Sequence, residues 1–413
     1  MITNDEALIE YFKILRTGDY QRDNFNLFLK EIKFSFPLHA VHLSGTNGKG
    51  TTGTVLKNIY KEAGYKVAHF SSPYLFSPRE MITYDGQSIA IEKIASLIAQ
   101  YEHLFKKYNL SEFEVEAFLA FTYLLEDKPD LTIIECGMGG LIDATNIFTP
   151  ILSIITSISL EHTSFLGSSL TEIAFHKAGI IKKRVPLLIG SIEESALEVI
   201  KEVASQEKAP IYQVGPYLDE RLLEDCYLFS YKPYQDLKIP SLALFSVLDA
   251  SFALGAAEIL KPLLNVSREA IYLGVAKTSL PGRMEVLNHS PLLIVDGAHN
   301  PEATSRLKES LEKLQGDKKI HIIFAAFNDK NITMMLAELN FISNDITLTT
   351  FPHPRARKEE EYFLYLDEFP FVEDYRTLIK EKIAQYPEDI IVITGSLAFA
   401  GLVSQQYKKG LIK

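Results

Sequence analysis

The stretch richest in chemistry is Val41-His42-Leu43-Ser44-Gly45-Thr46-Asn47-Gly48-Lys49-Gly50-Thr51-Thr52. It reads as a strand end, a glycine-rich turn and a helix start. Gly45, Gly48 and Gly50 allow a tight turn with no Cβ between the backbone N–H groups and a ligand. N–H groups gathered ahead of a helix make a nest for anions, and the helix dipole adds positive potential. Lys49 is spaced to reach the β- and γ-phosphates of a nucleotide, and Thr51 or Thr52 to offer a hydroxyl to Mg²⁺. The spacing departs from the usual G-x-x-x-x-G-K-[ST], because position 43 is Leu and Gly50 stands between Lys49 and Thr51.

Further candidates follow at strand ends. Leu131-Thr132-Ile133-Ile134-Glu135 is an apolar run that closes on a carboxylate before Cys136-Gly137-Met138-Gly139-Gly140. An acid at the carboxyl end of a buried strand is costly unless it is paired or binds metal. Glu135 is therefore expected to serve a metal or to position water. The run 151–159 leads to Leu160-Glu161-His162-Thr163, which puts His162 at the same sheet edge as a candidate ligand or base. Residues 71–80 follow a strand over 66–70 and contain two prolines and three serines, so they read as a loop. Ser72 in that loop is read equally as a surface residue or as one facing a metal. Lys177, on a helix over 169–181, reads by itself as an ordinary solvated side chain.

The elements that must position these residues follow from periodicity. Segments 5–17 and 25–32 have helical spacing, and the aromatic residues of the second suit helix packing better than a pocket. A strand over 40–43 enters the glycine turn. The helix behind it carries Val55, Leu56, Ile59 and Tyr60 on one face and stops at Gly64. Helices are expected over 91–108 and 113–125, the latter opening on Ser111 with Glu114 three residues on, as in a capping box. A strand over 186–189 and a helix over 194–205 come next. Residues 210–240 read as short antiparallel strands and turns, and 247–260 as a helix with Asp249 near its start. Leu280-Pro281-Gly282-Arg283 is a turn that bounds two domains. Beyond it, a strand over 292–295 runs into Asp296-Gly297-Ala298-His299-Asn300-Pro301. Helices over 302–314, 332–339 and 375–385 then alternate with strands over 320–324, 347–350 and 390–394. Such alternation predicts parallel sheets with crossover helices. The expected fold is α/β: an N-terminal phosphate-loop ATPase domain with a mostly parallel sheet over residues 1–282, and a smaller C-terminal Rossmann-like domain over 283–413.

Composition sets bounds. A chain of 413 residues, 47% hydrophobic and 23% charged, can bury the cores of two or three globular domains. A net charge of -11 argues against broad nucleic-acid binding, though not against a phosphate held locally. Cys136 and Cys226 alone cannot build a disulfide framework or a zinc cluster, which suits a reduced compartment. The start, MITNDEALIEYF, is acidic and amphipathic, unlike a signal peptide. The apolar run 390–403 is too short to span a bilayer and is interrupted by Gly395. A cytoplasmic protein without a membrane or nucleic-acid partner, and monomeric, is expected.

In order and spacing together, these stretches resemble folylpolyglutamate synthase and dihydrofolate synthase, of the Mur-ligase superfamily, over nearly the whole chain. SGTNGKGTT is similar to the family's phosphate loop, including the extra Gly after Lys. SSPYL, ECGMGGLIDATN, ITSISLEHTSFLG and HKAGIIK are similar to its successive N-domain motifs. LPGRMEV, DGAHNP, FNDKNITMML, PHPRARKEEE and ITGSLAFAG are similar to its later ones.

The resemblance implies an ATP-dependent amide ligase. ATP would phosphorylate a carboxylate of a folate, of dihydropteroate or of both, and the amino group of L-glutamate would displace phosphate from the acyl phosphate. It implies two Mg²⁺ ions. Ser72, Glu135 and His162 would hold one, Thr51 would lie by the metal nearest ATP, and Lys177, carbamylated, would become an anionic ligand. It implies nucleotide contacts from Thr46, Asn47, Gly48, Lys49, Gly50, Thr51, Thr52, Asp249, Arg283 and Asp296, with Lys49, Glu135, His162 and Lys177 as the catalytic set. Acceptor contacts would come from Phe113, Glu114, Ile142, Asp143 and Ala144, and the incoming glutamate would lie near His299 and Ser396.

The chain departs from the family pattern at three places. Asp249 stands where the family usually has a nucleotide-binding Asn. Gly139-Gly140-Leu141 stands where it has GGR, and Asn26-Leu27-Phe28-Leu29-Lys30 where it has G-L-E-R; these two fall on the folate side. Two alternatives stand beside this reading: a Mur-type ligase for another carboxylate acceptor, and a non-catalytic nucleotide-binding module. Only 44 residues precede Gly45, fewer than the carrier domain of a cell-wall ligase needs. Glu135, His162 and Lys177 together argue against a module without turnover.

Overall fold

Apolar strands alternate with amphipathic helices, and in the computed structural model they assemble into two α/β units. The structure describes residues 2–15 and 22–412. The end of the first expected helix, at Arg16 and Thr17, lies outside the described residues. Unit 1 comprises Met1–Tyr217, Tyr231–Leu237 and Asp249–Thr278; unit 2 comprises Leu218–Ser230, Lys238–Leu248 and Ser279–Lys413.

In unit 1, helices α1 (Asp5–Lys13) and α2 (Arg22–Glu31) precede β1 (Ala40–Ser44), which is buried throughout. Then come α3 (Lys49–Glu62), β2 (Val67–Phe70), β3 (Ile82–Tyr84), β4 (Gln87–Ser88), α4 (Ile91–Lys107), α5 (Glu112–Asp127) and β5 (Leu131–Glu135). They are followed by β6 (Leu152–Ile155), α6 (Thr163–Leu166), α7 (Leu170–Ala178), β7 (Leu187–Ile189), α8 (Glu194–Glu207) and β8 (Ile211–Gln213). The sheet order is β4-β3-β2-β5-β1-β6-β7-β8. In that order every pairing from β2 to β8 is parallel, and the β2–β3 and β3–β4 pairings are antiparallel. The carboxyl ends of β2, β5, β1 and β6 are therefore neighbours.

Local signals account for several of these boundaries. At α5, Ser111 Oγ accepts from the Glu114 N–H, and the Glu114 carboxylate accepts from the Ser111 N–H at 2.6 Å. This is the expected capping box. α7 opens on a second one, from Ser169 and Glu172. Phe25 and Phe28 of α2 are fully buried, and Phe28 meets Phe118 of α5 edge-on at 4.8 Å. Burying such a ring contributes about 1.5–3 kcal/mol, so the aromatic segment packs helices, as expected. β8 corrects one expectation. It joins β7 in parallel, extending the main sheet, and antiparallel pairing begins only with β9 (Leu218–Leu222) and β10 (Tyr227–Tyr231), followed by β11 (Tyr234–Ile239).

Helix α9 (Leu244–Leu260) contributes to unit 1 from Asp249 on, and α10 (Arg268–Ala276) belongs to it entirely. α10 crosses α3 at Gly274, where a Cβ would stand 2.5 Å from the Ile59 Cα. No side chain fits at that crossing.

Unit 2 contains β12 (Glu285–His289), β13 (Leu292–Val295), α11 (Pro301–Gln315), β14 (Ile320–Phe324) and α12 (Ile332–Asn340). It continues with β15 (Asp345–Thr350), β16 (Phe371–Asp374), α13 (Tyr375–Gln385), β17 (Ile390–Thr394) and α14 (Leu397–Lys408). Its sheet order is β12-β13-β17-β14-β15-β16, parallel except for β12. The apolar run 390–403 is β17 and the start of α14, with Gly395 turning between them at φ +105°. Apolar side chains cover both faces of the sheet. Near its amino edge, His321 Nδ1 lies 2.6 Å from Asp345 Oδ2 and its Nε2 lies 3.0 Å from Asp389 Oδ2. Lys382 Nζ reaches Asp345 Oδ1 at 2.5 Å, and the Tyr386 ring stacks on His321 at 3.5 Å. Among the described residues, no helix is long and apolar enough to cross a membrane.

Candidate active site

The glycine turn leaves β1 and is clamped by the segment that leaves β6. Thr46 N–H donates to Ser157 O at 3.0 Å, and Thr46 Oγ1 accepts from Ser159 N at 3.1 Å. Asn47 N–H donates to Ser157 Oγ at 3.0 Å, and Thr156 Oγ1 donates to Asn47 O at 2.6 Å. A Cβ on Gly45 would fall 1.9 Å from Thr156 Oγ1, so this clamp requires glycine. Gly48 caps α3 at φ +90°. A Cβ there would stand 2.6 Å from Asp249 Oδ1, so the buried Asp249 carboxylate lies beside the start of α3. Thr52 Oγ1 donates to Asp249 O at 3.1 Å. Lys49 folds over the loop, its Nζ donating to Gly45 O at 2.6 Å and to Thr46 O at 3.4 Å. Thr51 and Thr52 are buried in the first turn.

Glu135 ends β5, 1% exposed, and His69 of neighbouring β2 lies against it, Nε2 to Oε1 at 2.6 Å. The other oxygen, Oε2, is 3.9 Å from where a Gly50 Cβ would be, which turns it toward the first turn of α3. Lys57, two turns along α3, is held below its ordinary value by burial, and the Glu135 charge opposes that shift. His69 is a site residue that the sequence motifs do not single out. Its only signal in the sequence is a histidine in the apolar run Val67-Ala68-His69-Phe70, just before the serine-rich loop.

The loop after β5 is braced from within. Asp143 Oδ2 accepts from Met138 N at 2.8 Å, and Oδ1 accepts from Thr145 N at 2.9 Å and from Thr145 Oγ1 at 2.5 Å. Burial raises the Asp143 carboxyl from its usual range, and these N–H and O–H donors pull against it. Thr145 gives its one proton to Asp143, so its Oγ1 accepts from His42 Nε2 at 2.9 Å. Burial holds His42 neutral, its value pushed down to about 3. Cys136 Sγ sits 3.2 Å from the same nitrogen, and burial pushes its thiol up. Both Asp143 oxygens thus serve their own loop. Ala144 is fully buried and Ile142 half-buried. The Phe113 ring covers Gly137, where a Cβ would stand 2.4 Å from it, and Glu114 serves its capping box through Oε2. Arg22 donates to Leu141 O and, at 3.2 Å, to Asn146 O. Asn146 Nδ2 joins Leu141 O and Gly179 O at 3.2 and 3.1 Å, tying the loop to the end of α7.

Lys177, on that last turn of α7, is 3% exposed, not the solvated residue that helix position alone suggests. His162 also departs from its expected setting. β6 stops at Ile155, because the residues after it clamp the glycine turn instead of pairing further. His162 follows as the N-cap of α6 at φ +52°, its side chain 41% exposed and 4.0 Å from Glu161 Oε1. Ser72 is half-buried in the loop leaving β2, next to the end of β5.

In unit 2, Asp296, His299 and Ser396 follow the carboxyl ends of adjacent parallel strands, β13 and β17, and Arg283 stands in the turn before β12. Asp296 accepts from Met284 N at 2.9 Å through Oδ2 and from Ala298 N at 2.8 Å through Oδ1. Burial raises its carboxyl, while the Arg283 charge and those N–H groups lower it. His299 Nδ1 donates to Gly297 O at 2.7 Å. Ser396 is buried at the N-cap of α14.

Among the described residues, no three His, Cys, Asp or Glu side chains are grouped to hold a metal ion. The donors beside the glycine turn are instead hard oxygens: Glu135 Oε2 facing the first turn of α3, and the Thr51 hydroxyl in that turn. Few protein oxygens next to a phosphate site suit Mg²⁺, which keeps several waters and takes further ligands from phosphates. These residues fit a divalent ion bound with a nucleotide.

Comparison with known proteins gives concordant matches. Residues 43–222 match the Mur ligase middle domain, and residues 282–397 the Mur ligase glutamate ligase domain. The chain is similar to the dihydrofolate synthase/folylpolyglutamate synthase of Bacillus subtilis, at 32% identity over 390 residues, covering 90% of this chain and 91% of the relative. Escherichia coli FolC in complex with DHPP and ADP superposes with a TM-score of 0.89 at 27% identity, covering 99% of this chain and 98% of that one. A bifunctional folylpolyglutamate synthase/dihydrofolate synthase with Mn, AMPPNP and L-glutamate bound gives a TM-score of 0.86 at 26% identity, covering 98% of each chain.

Proposed function

The chain belongs to the dihydrofolate synthase/folylpolyglutamate synthase family, and from that premise we propose that it is an ATP-dependent ligase joining L-glutamate to a folate, to dihydropteroate, or to both. The observation that carries this reading is the meeting of the glycine turn, Lys49 and Glu135 at adjacent strand ends. A carboxylate is a poor electrophile, and transfer of the γ-phosphoryl group of ATP gives it a leaving group. The N–H groups at the start of α3 would cradle the phosphates. Lys49 would leave the carbonyls of Gly45 and Thr46 for the transferring phosphoryl oxygens. Mg²⁺, when bound, would neutralise charge on those oxygens. The glutamate amine would then attack the acyl phosphate, losing a proton as the amide forms and phosphate leaves.

We assign Ser72, Glu135 and His162 to one ion and Thr51 to the ion nearest ATP, with Lys177 as a carbamate. Support for Lys177 comes from its place, buried on the last turn of α7 beside the loop that follows β5, where a carbamate would offer oxygen ligands of the kind Mg²⁺ takes. Thr46 to Thr52, Asp249, Arg283 and Asp296 are assigned to the nucleotide, and Asp249 would accept from the adenine amine. Phe113, Glu114, Ile142, Asp143 and Ala144 are assigned to the acceptor side, with Asp143 acting through the loop it braces. His299 and Ser396 are assigned to the incoming glutamate. We also propose a cytoplasmic monomer, with the domain boundary near residue 282.

The test is phosphate release with ATP, Mg²⁺ and L-glutamate across dihydropteroate, tetrahydrofolate and a UDP-linked acceptor. Glutamate-dependent release with one or both pterin acceptors is expected. Lys49→Ala should lower it on the order of 10²-fold or more. Turnover confined to the UDP-linked acceptor, or none that depends on glutamate, would overturn the reading.

A further inference from the structure

We propose that His69 is a positioning residue for Glu135, holding one carboxylate oxygen so that the other is presented to the first turn of α3. This rests on the reading of Glu135 as a metal ligand. β2 and β5 are parallel neighbours with His69 opposite Ile133, so the imidazole reaches two residues along to the strand's last side chain. The contact is 2.6 Å, and both side chains are almost fully buried, at 4% and 1% exposure. An ionised carboxylate only accepts, so Nε2–H is the donor.

α3 closes over the pair. A Cβ on Gly53 would stand 2.6 Å from His69 Nε2, 2.9 Å from its Cε1 and 3.1 Å from Glu135 Oε1. The helix backbone thus lies directly on the hydrogen bond, and the pair has no room to rotate as a unit. The carboxylate of a strand-end Glu otherwise turns freely about its last torsion, which is broad and roughly two-fold. With Oε1 held, Oε2 keeps one direction, toward Gly50 in the first turn of α3. A ligand fixed in advance need not be ordered when the ion arrives. Groups that orient metal-binding carboxylates in this way are typically worth 10–100-fold in metal affinity.

The positioning role belongs to the N–H and not to the imidazole ring as such. Any side chain that donates from the same point should serve, and the Nε2 of Gln is the nearest equivalent. The experiment measures Mn²⁺ binding to the full chain with AMPPCP, from the electron paramagnetic resonance signal of free Mn²⁺. It adds the Mg²⁺ concentration for half-maximal phosphate release and the thermal midpoint of each variant. His69→Leu is expected to weaken Mn²⁺ binding about 10–100-fold. The half-maximal Mg²⁺ concentration should rise by a similar factor, with kcat recovered at saturating Mg²⁺. His69→Gln should restore both to within a few-fold of the parent. Loss of the ion in Glu135→Gln together with parental Mn²⁺ affinity in His69→Leu would overturn this proposal alone. Unchanged affinity in Glu135→Gln would instead remove the metal-ligand reading beneath it. Equal loss in His69→Leu and His69→Gln, tracking a shared fall in thermal midpoint, would reduce His69 to packing and also overturn the proposal.

Discussion

Gly53→Ala sets two effects of opposite sign against each other. Gly53 is an interior residue of α3, and on helix propensity alone the change to Ala stabilises by about 0.8–1 kcal/mol. The structure argues for the reverse. The new Cβ would arrive 2.6 Å from His69 Nε2 and 2.9 Å from its Cε1, closer than carbon packs against either atom. The ring is buried on β2 and tied to Glu135, so it can yield only by opening that hydrogen bond. Overpacking a core costs about 1–3 kcal/mol, and losing a hydrogen bond to a charged group roughly 1.5–3 kcal/mol more. Against a gain near 1 kcal/mol, the net is a loss of about 3 kcal/mol. In a unit of this size that is roughly 6–12 °C of melting temperature. The assay is thermal and urea unfolding of four proteins: parent, Gly53→Ala, His69→Ala and the double variant. With the imidazole gone, Gly53→Ala should reverse sign and stabilise by about 0.8–1 kcal/mol. A higher midpoint for Gly53→Ala in the parent, or the same loss in both backgrounds, would show that the imidazole does not oppose the new methyl group.

Two further outcomes are expected. Lys177→Ala should be nearly inactive, with activity partly restored by acetate, and the parent should regain activity on adding bicarbonate after CO₂ is stripped; full turnover of Lys177→Ala would remove the carbamate from the account. In unit 2, Asp345 is raised by burial but brought below its ordinary value of 3.8 overall by Lys382 and His321, and Asp389 is lowered chiefly by His321. Carboxyls depressed in the folded state contribute stability above pH 4 or so and lose it as the pH falls through their folded values. Asp345→Asn should therefore lower stability at pH 6 and flatten its decline below pH 4, read from urea melts across that range; parallel curves for parent and variant would contradict this.

The elements that were legible from sequence are those whose signals are local. The capping box of Ser111 and Glu114 marks the start of α5, and β14, α13 and β17 coincide with their expected spans because continuous apolar runs or helical spacing define them. The β3–β4 hairpin was missed although Asp85-Gly86 is a turn signal, because its strands have only three and two residues. β12 was missed as a polar edge strand whose partner alone defines it. The glycine turn was legible because its ligand chemistry is written in consecutive residues. The pairing of His69 with Glu135 spans 66 positions, and the burial of Lys177 depends on what covers α7, so neither leaves a periodic trace. Residues 156–159 are as strand-like as those before them, and that pattern predicts a strand end at His162. Their hydrogen bonds go to the glycine turn instead, a choice made by tertiary contacts.

Unit 1 is assembled from three separated stretches of chain, and this has a consequence for its synthesis. The glycine turn and α3 leave the ribosome early, but Asp249, which lies against Gly48, follows about 200 residues later. At 5–20 residues per second the interval is roughly 10–40 s. During it, the face of α3 that α10 will cover at Ile59 stands open to water. A nascent chain halted at Tyr217 would hold the whole eight-stranded sheet and still lack Asp249 and α10, which pack on α3 from beyond it. The glycine turn is thus among the first parts of unit 1 to be made, and its partners Asp249 and α10 are among the last. Release of residues up to Thr278, not the completion of the sheet, is the event that completes unit 1 around the loop.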